Sequence, residues 1–133
     1  MRYIADPDPA IVRSGLLGLL ASQQQLAPLA PRLGYLGGDQ PPNSAFLRAF
    51  RVLDVVSLDR KKVRKMLREH DIGPIAVRKR GHPEPAEVLA RKLRGDGARR
   101  GELLIARLDS GHRAYLVEAY EPEAEEARPP GEA

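Results

Sequence analysis

Residues 102–108 (Glu-Leu-Leu-Ile-Ala-Arg-Leu) and 113–120 (Arg-Ala-Tyr-Leu-Val-Glu-Ala-Tyr) limit what this chain can fold into more than any other stretch. Each is a short apolar run, and only Asp109-Ser110-Gly111 and His112 separate them. A connection that short, with a glycine in it, joins antiparallel neighbours, because parallel strands need a crossover of a dozen residues or more. The fold therefore contains a β-hairpin. A lone hairpin is not stable in water, so other elements must extend and cover it.

Those elements can be read along the chain. Residues 2–5 form a short strand candidate. Asp8 can cap a helix with Pro9 at its first position. Ile11, Val12, Leu16, Leu19 and Leu20 recur at a helical period, which predicts one helix to about Gln25. Residues 33–36 read as a second short strand, followed by a loop through Gly37-Gly38-Asp39 and Pro41-Pro42-Asn43. Phe46 to Val56 reads as a third, being rich in β-branched and aromatic residues. Ser57 is then expected to cap a helix running from Asp59 to His70, with Val63, Met66 and Leu67 as its buried stripe. Gly73-Pro74 is expected to close a turn, and Ile75 to Arg80 to form a strand. His82-Pro83-Glu84-Pro85 opens a helix with an apolar face of Val88, Leu89 and Leu93, which Gly95-Asp96-Gly97 stops. The order β-α-β-β-α-β-α-β-β implies an α+β fold, with helices on one face of a mostly antiparallel sheet.

A chain of 133 residues suits one domain. Residues 1–120 are expected to form it, with 121–133 as an acidic, disordered tail. Trp is absent and aromatics are few, so the core must be aliphatic. With no cysteine, disulfides and thiolate metal sites are excluded. The first residues lack the apolar stretch of a signal peptide. The longest apolar run, Leu16 to Ala21, is far too short to span a bilayer. A cytoplasmic protein without membrane contact is expected.

Charge is distributed unevenly. Between Ser57 and Arg107 there are fifteen Lys and Arg against seven Asp and Glu. Residues 121–133 carry five glutamates against one arginine. The positive excess gathers in the helix Asp-Arg-Lys-Lys-Val-Arg-Lys-Met-Leu-Arg-Glu-His (59–70) and in Arg78-Lys79-Arg80, which ends a strand. Neighbouring elements of one sign suit a polyanion, and nucleic acid is the obvious one inside a cell. Lys61, Lys62, Arg64, Lys65 and Arg68 could lie along a phosphate backbone. Arg78 and Arg80 fall on one sheet face by alternation and Lys79 on the other. An edge strand shielded by charge would look the same. Arg99-Arg100, in a glycine-flanked loop, could grip phosphate bidentately or merely solubilise the loop.

No catalytic or metal site is expected. Asp6-Pro7-Asp8-Pro9 pairs two carboxylates, but capping and the helix dipole account for them. His70, His82 and His112 are widely spaced and lack ligand spacing. No Walker run or S-adenosylmethionine-binding glycine loop is present. Tyr3, Tyr35, Phe46, Phe50, Tyr115 and Tyr120 suit a core better than base-stacking platforms, which points to recognition of backbone and shape.

Several strings carry a resemblance. They are residues 3–16 (Tyr-Ile-Ala-Asp-Pro-Asp-Pro-Ala-Ile-Val-Arg-Ser-Gly-Leu), Leu33-Gly34-Tyr35-Leu36, Phe50-Arg51-Val52-Leu53, and the helix-strand unit from Ser57 to Gly81. In order and length, over roughly residues 2 to 120, they resemble the THUMP-like domain attached to the C-terminal side of a group of bacterial class I SAM-dependent methyltransferases. The resemblance implies an RNA-facing accessory module that docks structured RNA, tRNA among the candidates, for a catalytic domain in cis or in a partner chain. It implies no cofactor in this chain, since S-adenosylmethionine would bind the methyltransferase domain. Arg78, Lys79, Arg80, Lys61, Lys62, Lys65, Arg68, Arg99 and Arg100 would then contact RNA. The alternative is a protein-interaction module, docking on a catalytic partner through its apolar faces or the Asp6–Leu16 segment without touching RNA.

Overall fold

The structure, a computed structural model, describes residues 1–121. The expected tail, apart from Glu121, lies outside the described residues. Eleven elements follow in order: β1 (Tyr3–Pro7), α1 (Pro9–Arg13), α2 (Leu17–Gln23), β2 (Ala27–Pro28), β3 (Leu36–Gly38), β4 (Leu47–Ser57), α3 (Arg60–Glu69), β5 (Ile72–Arg80), α4 (Ala86–Leu93), β6 (Arg99–Leu108) and β7 (Gly111–Tyr120). The seven strands form one sheet in the order β2-β3-β1-β4-β7-β6-β5. Every pairing is antiparallel except β5 with β6, which α4 connects as a crossover. The architecture is the expected α+β one.

The hairpin forms as its spacing dictates. Leu108 lies opposite Gly111 and Glu102 opposite Val117. Alternation along β6 then sorts the core into two layers. Leu103 and Ile105 face α3 and α4, packing with Val63, Met66, Leu67, Leu89, Leu93, Ala114 and Leu116. Leu104 and Ala106 face the other way, into a cluster with Ile4, Tyr35, Phe50, Tyr115 and Val117. A third cluster seats Ile11, Leu20 and Ala21 of α1 and α2 on Ala5, Leu36 and Leu47. Ala5 pairs with Ala49 while Ile4 pairs with Phe50, so α1 and α2 lie on the same sheet face as α3 and α4. The opposite face is roofed by the segment containing Leu29, Leu33 and Tyr35.

Several local expectations are corrected. The first helix is two. Gly15 takes φ +77°, a left-handed conformation that ends α1, and Leu17 restarts the helix. A strand occupies Leu36–Gly38 rather than residues 33–36, because Leu33 and Tyr35 are drawn into the roof. Ser57 does not cap α3. It stays in the ladder opposite Arg113, and Asp59 caps instead, its carboxylate accepting from the N–H groups of Lys61 and Lys62. Gly73-Pro74 is not a turn but part of β5, where the register with β6 shifts. In α4, Leu89 and Leu93 are buried with Ala90 packed beside them, whereas Val88 is only half-buried. In β4 the register with β7 slips between Val52 and Asp54, a bulge at Leu53. The bulge reverses the strand's faces, so Phe50 and Val52 point at the roof while Val56 points at the helices.

Candidate nucleic-acid interface

The cations singled out in the sequence separate into two environments. The first is α3. An amphipathic helix that buries Val63, Met66 and Leu67 must turn its remaining residues to solvent. Arg60, Lys61, Lys62, Arg64, Lys65 and Arg68 are all exposed. Among the described residues none of them enters an ion pair. The helix is anchored by its cap, Asp59, and by His70, whose Nε2 lies 3.0 Å from Asp54 Oδ2 on β4.

Arg99 and Arg100 join this group through the backbone. Asp71 follows the C-cap of α3, and its N–H donates to Arg68 O at 3.1 Å. Its own carbonyl accepts from Arg99 N–H at 2.9 Å and its Oδ1 from Ala98 N–H at 3.1 Å. The last turn of α3 and the first residues of β6 therefore share one end of the sheet. Arg64 and Arg68 border a shallow depression there with Asp71, Gly95, Asp96 and Gly97. Arg99 and Arg100 are exposed, and neither enters an ion pair among the described residues.

Arg78 and Arg80 occupy a different setting. As alternation requires, both leave the edge strand β5 on the face away from the helices, where each meets a carboxylate. Arg78 Nε donates to Glu102 at 2.7 Å, and its guanidinium lies 5.2 Å from the centre of the Phe50 ring. Arg80 donates to Asp6 at 2.7 Å and lies 5.0 Å from the centre of the Tyr35 ring. Asp6 is on β1, four strand spacings from β5, which would be roughly 19 Å on a flat sheet. One arginine cannot span that, so the sheet curls until its far strands face each other across a concave surface. Asp6 therefore does more than complement a helix terminus, which corrects the capping account given above; Asp8 does cap α1. Gly34 sits against Arg80 so closely that a Cβ there would lie 2.7 Å from a guanidinium nitrogen. Burial and the Asp6 carboxylate together push the Tyr35 hydroxyl up to about 12, with Arg80 opposing them.

Lys79 points to the other face, and its Nζ donates to His82 O at 2.9 Å. The histidines are not isolated in space as their spacing implied. The rings of His82 and His112 meet edge to face with centres 4.8 Å apart. His82 Nδ1 accepts from Glu84 N–H, and burial followed by the neighbouring His112 lowers the His82 pKa. Among the described residues, no group of three or more His, Asp or Glu side chains could hold a metal ion. Of the aromatics, Tyr3, Tyr35, Phe50 and Tyr115 are buried and Phe46 is half-exposed. No described helix is long and apolar enough to cross a membrane.

A family model described as THUMP domain-like matches residues 47–119, from the first residue of β4 almost to the end of β7. The chain belongs to that family. An uncharacterized S-adenosylmethionine-dependent methyltransferase of Mycobacterium tuberculosis, found in strains CDC 1551 and H37Rv, is 34% identical over 116 residues. That match covers 87% of this chain and 32% of the relative, so this THUMP-like chain spans about a third of the length of the curated relatives it matches. The fold recurs in a crystal structure from Porphyromonas gingivalis W83 described as a methyltransferase, with a TM-score of 0.66 and 17% identity. It covers 90% of this chain and 30% of that one.

Proposed function

We propose that this THUMP-like chain is a non-catalytic module that docks structured RNA for the catalytic portion of an S-adenosylmethionine-dependent methyltransferase. The observation that carries the reading is the state of α3. Six exposed cations on ten residues have no carboxylate partner among the described residues, although Arg51, Arg78, Arg80 and Lys92 all do. Six cations against the single exposed carboxylate of Glu69 make an unusually one-sided surface for solubility alone. Lys61, Lys62, Lys65 and Arg68, with Arg99 and Arg100 at the same end, would contact phosphates, and counterion release would supply most of the affinity. Arg78, Lys79 and Arg80 would contribute second, once their present partners let go. Buried aromatics favour recognition of backbone over bases. S-adenosylmethionine and the chemistry belong to the other two thirds of such a methyltransferase.

The test is fluorescence anisotropy with labelled tRNA and an unstructured RNA of equal length, at several salt concentrations. Wild type should bind the folded RNA more tightly, with affinity falling steeply as salt rises. Lys61→Glu, Lys65→Glu and Arg68→Glu together should weaken binding and lower the salt slope by about one per lost phosphate contact. Equal binding by a folded triple variant would remove α3 from the interface.

One observation favours a second reading. Val12, Leu16, Leu19 and Phe46 are each more than half exposed, and all belong to or border α1 and α2. Such a patch suits an apolar protein face. A salt-insensitive complex with the methyltransferase portion, alongside no RNA affinity, would support protein docking alone.

A further inference from the structure

Strand β4 has one long neighbour and one short one. β7 runs beside it from Ala49 to Ser57, whereas β1 accompanies its other side only from Leu47 to Arg51, and Arg2 O accepts the last bond from Val52 N–H. Among the described residues no strand lies against residues 53–57 on the β1 side, where Leu53, Val55 and Ser57 are exposed. Leu58 N–H donates to His112 O at 2.9 Å, which fixes the alternation of the ladder. Val56 therefore turns its backbone groups to β7, and Val55 and Ser57 turn theirs to the open side. Two of those four groups are already occupied. Asp54 Oδ1 accepts from Val55 N–H at 2.8 Å while Asp54 Oδ2 lies 3.0 Å from His70 Nε2, and Ser57 O accepts from Asp59 N–H at 2.8 Å. Val55 C=O and Ser57 N–H remain for a partner.

We propose that this stretch of β4 takes up an extended strand of a protein partner, running parallel to β4, with a carboxylate side chain between two apolar ones. In a parallel pair one residue donates to a carbonyl and accepts from the N–H two residues further on, and Val55 C=O and Ser57 N–H are spaced for that. An antiparallel strand would need Val55 N–H as well, which Asp54 holds. The bonded residue lies beside Val56 on the face toward α3, where Asp54, Val56, Lys62, Lys65, Met66 and Glu69 border a depression of about 230 Å³. Neither Lys62 nor Lys65 enters an ion pair among the described residues, and Asp54 is engaged by His70. Two ammonium groups against Glu69 favour an anionic side chain there. The residues on either side of it turn to the opposite face, where Val55 is exposed and favours apolar neighbours. A second copy of this chain is a poor occupant, because pairing β4 with β4 would set two α3 helices side by side, each with six exposed cations. The contact rests on neither of the readings above.

The probe is an end-blocked peptide, Ser-Thr-Val-Glu-Val-Thr-Ser, titrated into the ¹⁵N-labelled full chain at low salt, with the same peptide carrying Lys for Glu as control. The Glu peptide should shift the amides of residues 53–57 and 62–66 and slow hydrogen exchange at Ser57 N–H. The Lys peptide should bind about tenfold more weakly, the scale of one charge-assisted hydrogen bond. Ser57→Pro removes the donor while leaving the bonds to β7 in place, and should abolish the shifts. If circular dichroism shows that variant unfolded, Lys62→Gln with Lys65→Gln carries the test, and should lower the affinity of the Glu peptide to that of the Lys peptide. Equal binding by the two peptides, or shifts on α3 with exchange at Ser57 unchanged, would overturn strand addition. So would the absence of any shift with millimolar peptide. Shifts at residues 53–57 that grow with protein concentration alone would make the occupant a second copy and overturn the proposed partner.

Discussion

Arg80 was expected from sequence to be a ligand for phosphate, and the structure makes it a tie across a curled sheet. Replacing it with Ala tests which description governs the free protein. The change removes a charge-assisted hydrogen bond to Asp6 at 2.7 Å, of a kind that contributes about 1.5–3 kcal/mol. The Arg80 side chain is 40% exposed and that of Asp6 23%, so solvent screening places this pair toward the lower end. The guanidinium over Tyr35 adds about 0.5 kcal/mol at such an exposure. The expected loss is about 2 kcal/mol, which for a chain of this size lowers Tm by about 8 °C. Thermal unfolding followed by circular dichroism measures it. Asp6→Asn should show a smaller loss, and the double variant should reveal a coupling of about 1 kcal/mol. The reasoning fails if Arg80→Ala melts within about 1 °C of wild type. A variant that melts with wild type and yet loses most of its RNA affinity would make Arg80 a primary contact residue and its ion pair incidental.

Two further perturbations follow from the same geometry. Tyr35, at about 12, holds its proton more tightly folded than unfolded, where a tyrosine titrates near 10. Its contribution to stability is therefore complete below pH 10 and is lost as pH rises from 10 through 12. Urea unfolding at pH 9 and pH 11 should show a steeper loss for wild type than for Tyr35→Phe; parallel losses would dismiss Tyr35 as the cause. Asp59→Ala removes the cap that accepts from Lys61 and Lys62 N–H, and should cost about 1 kcal/mol. Ser57→Ala should cost much less, and the reverse order by denaturant titration would restore Ser57 as the cap.

What could be read from the sequence was whatever depends on near neighbours. The stripe of Val63, Met66 and Leu67 repeats at three and four residues, so α3 and its exposed cations followed directly. The hairpin followed from the two short runs and Gly111. Alternation correctly put Arg78 and Arg80 together on one face, opposite Lys79. What that face contained was beyond alternation. Glu102 lies one strand away, but Asp6 is 74 residues earlier, and only strand order and curl bring it to Arg80. The cap was missed because Ser57 and Asp59 are both good caps, and the choice turns on how long β4 stays paired with β7. The break at Gly15 had a visible signal, a glycine inside a helical pattern. The meeting of His82 and His112 had none, since it depends on where the hairpin turn falls beside the end of β5.

Strand β4 occupies the seam of this molecule. Every strand of the region matched by the family model lies on one side of it, in the order β4-β7-β6-β5, and everything before residue 47 adds to its other edge through β1. An eleven-residue strand left bare on that side would be a template for pairing with another chain. The first forty-six residues reduce that hazard by pairing β1 with Leu47–Arg51 and extending the sheet with the three-residue β3 and the two-residue β2. They act as a selvedge, the woven border that keeps a cloth from unravelling, and the outermost strand is too short to recruit a stranger.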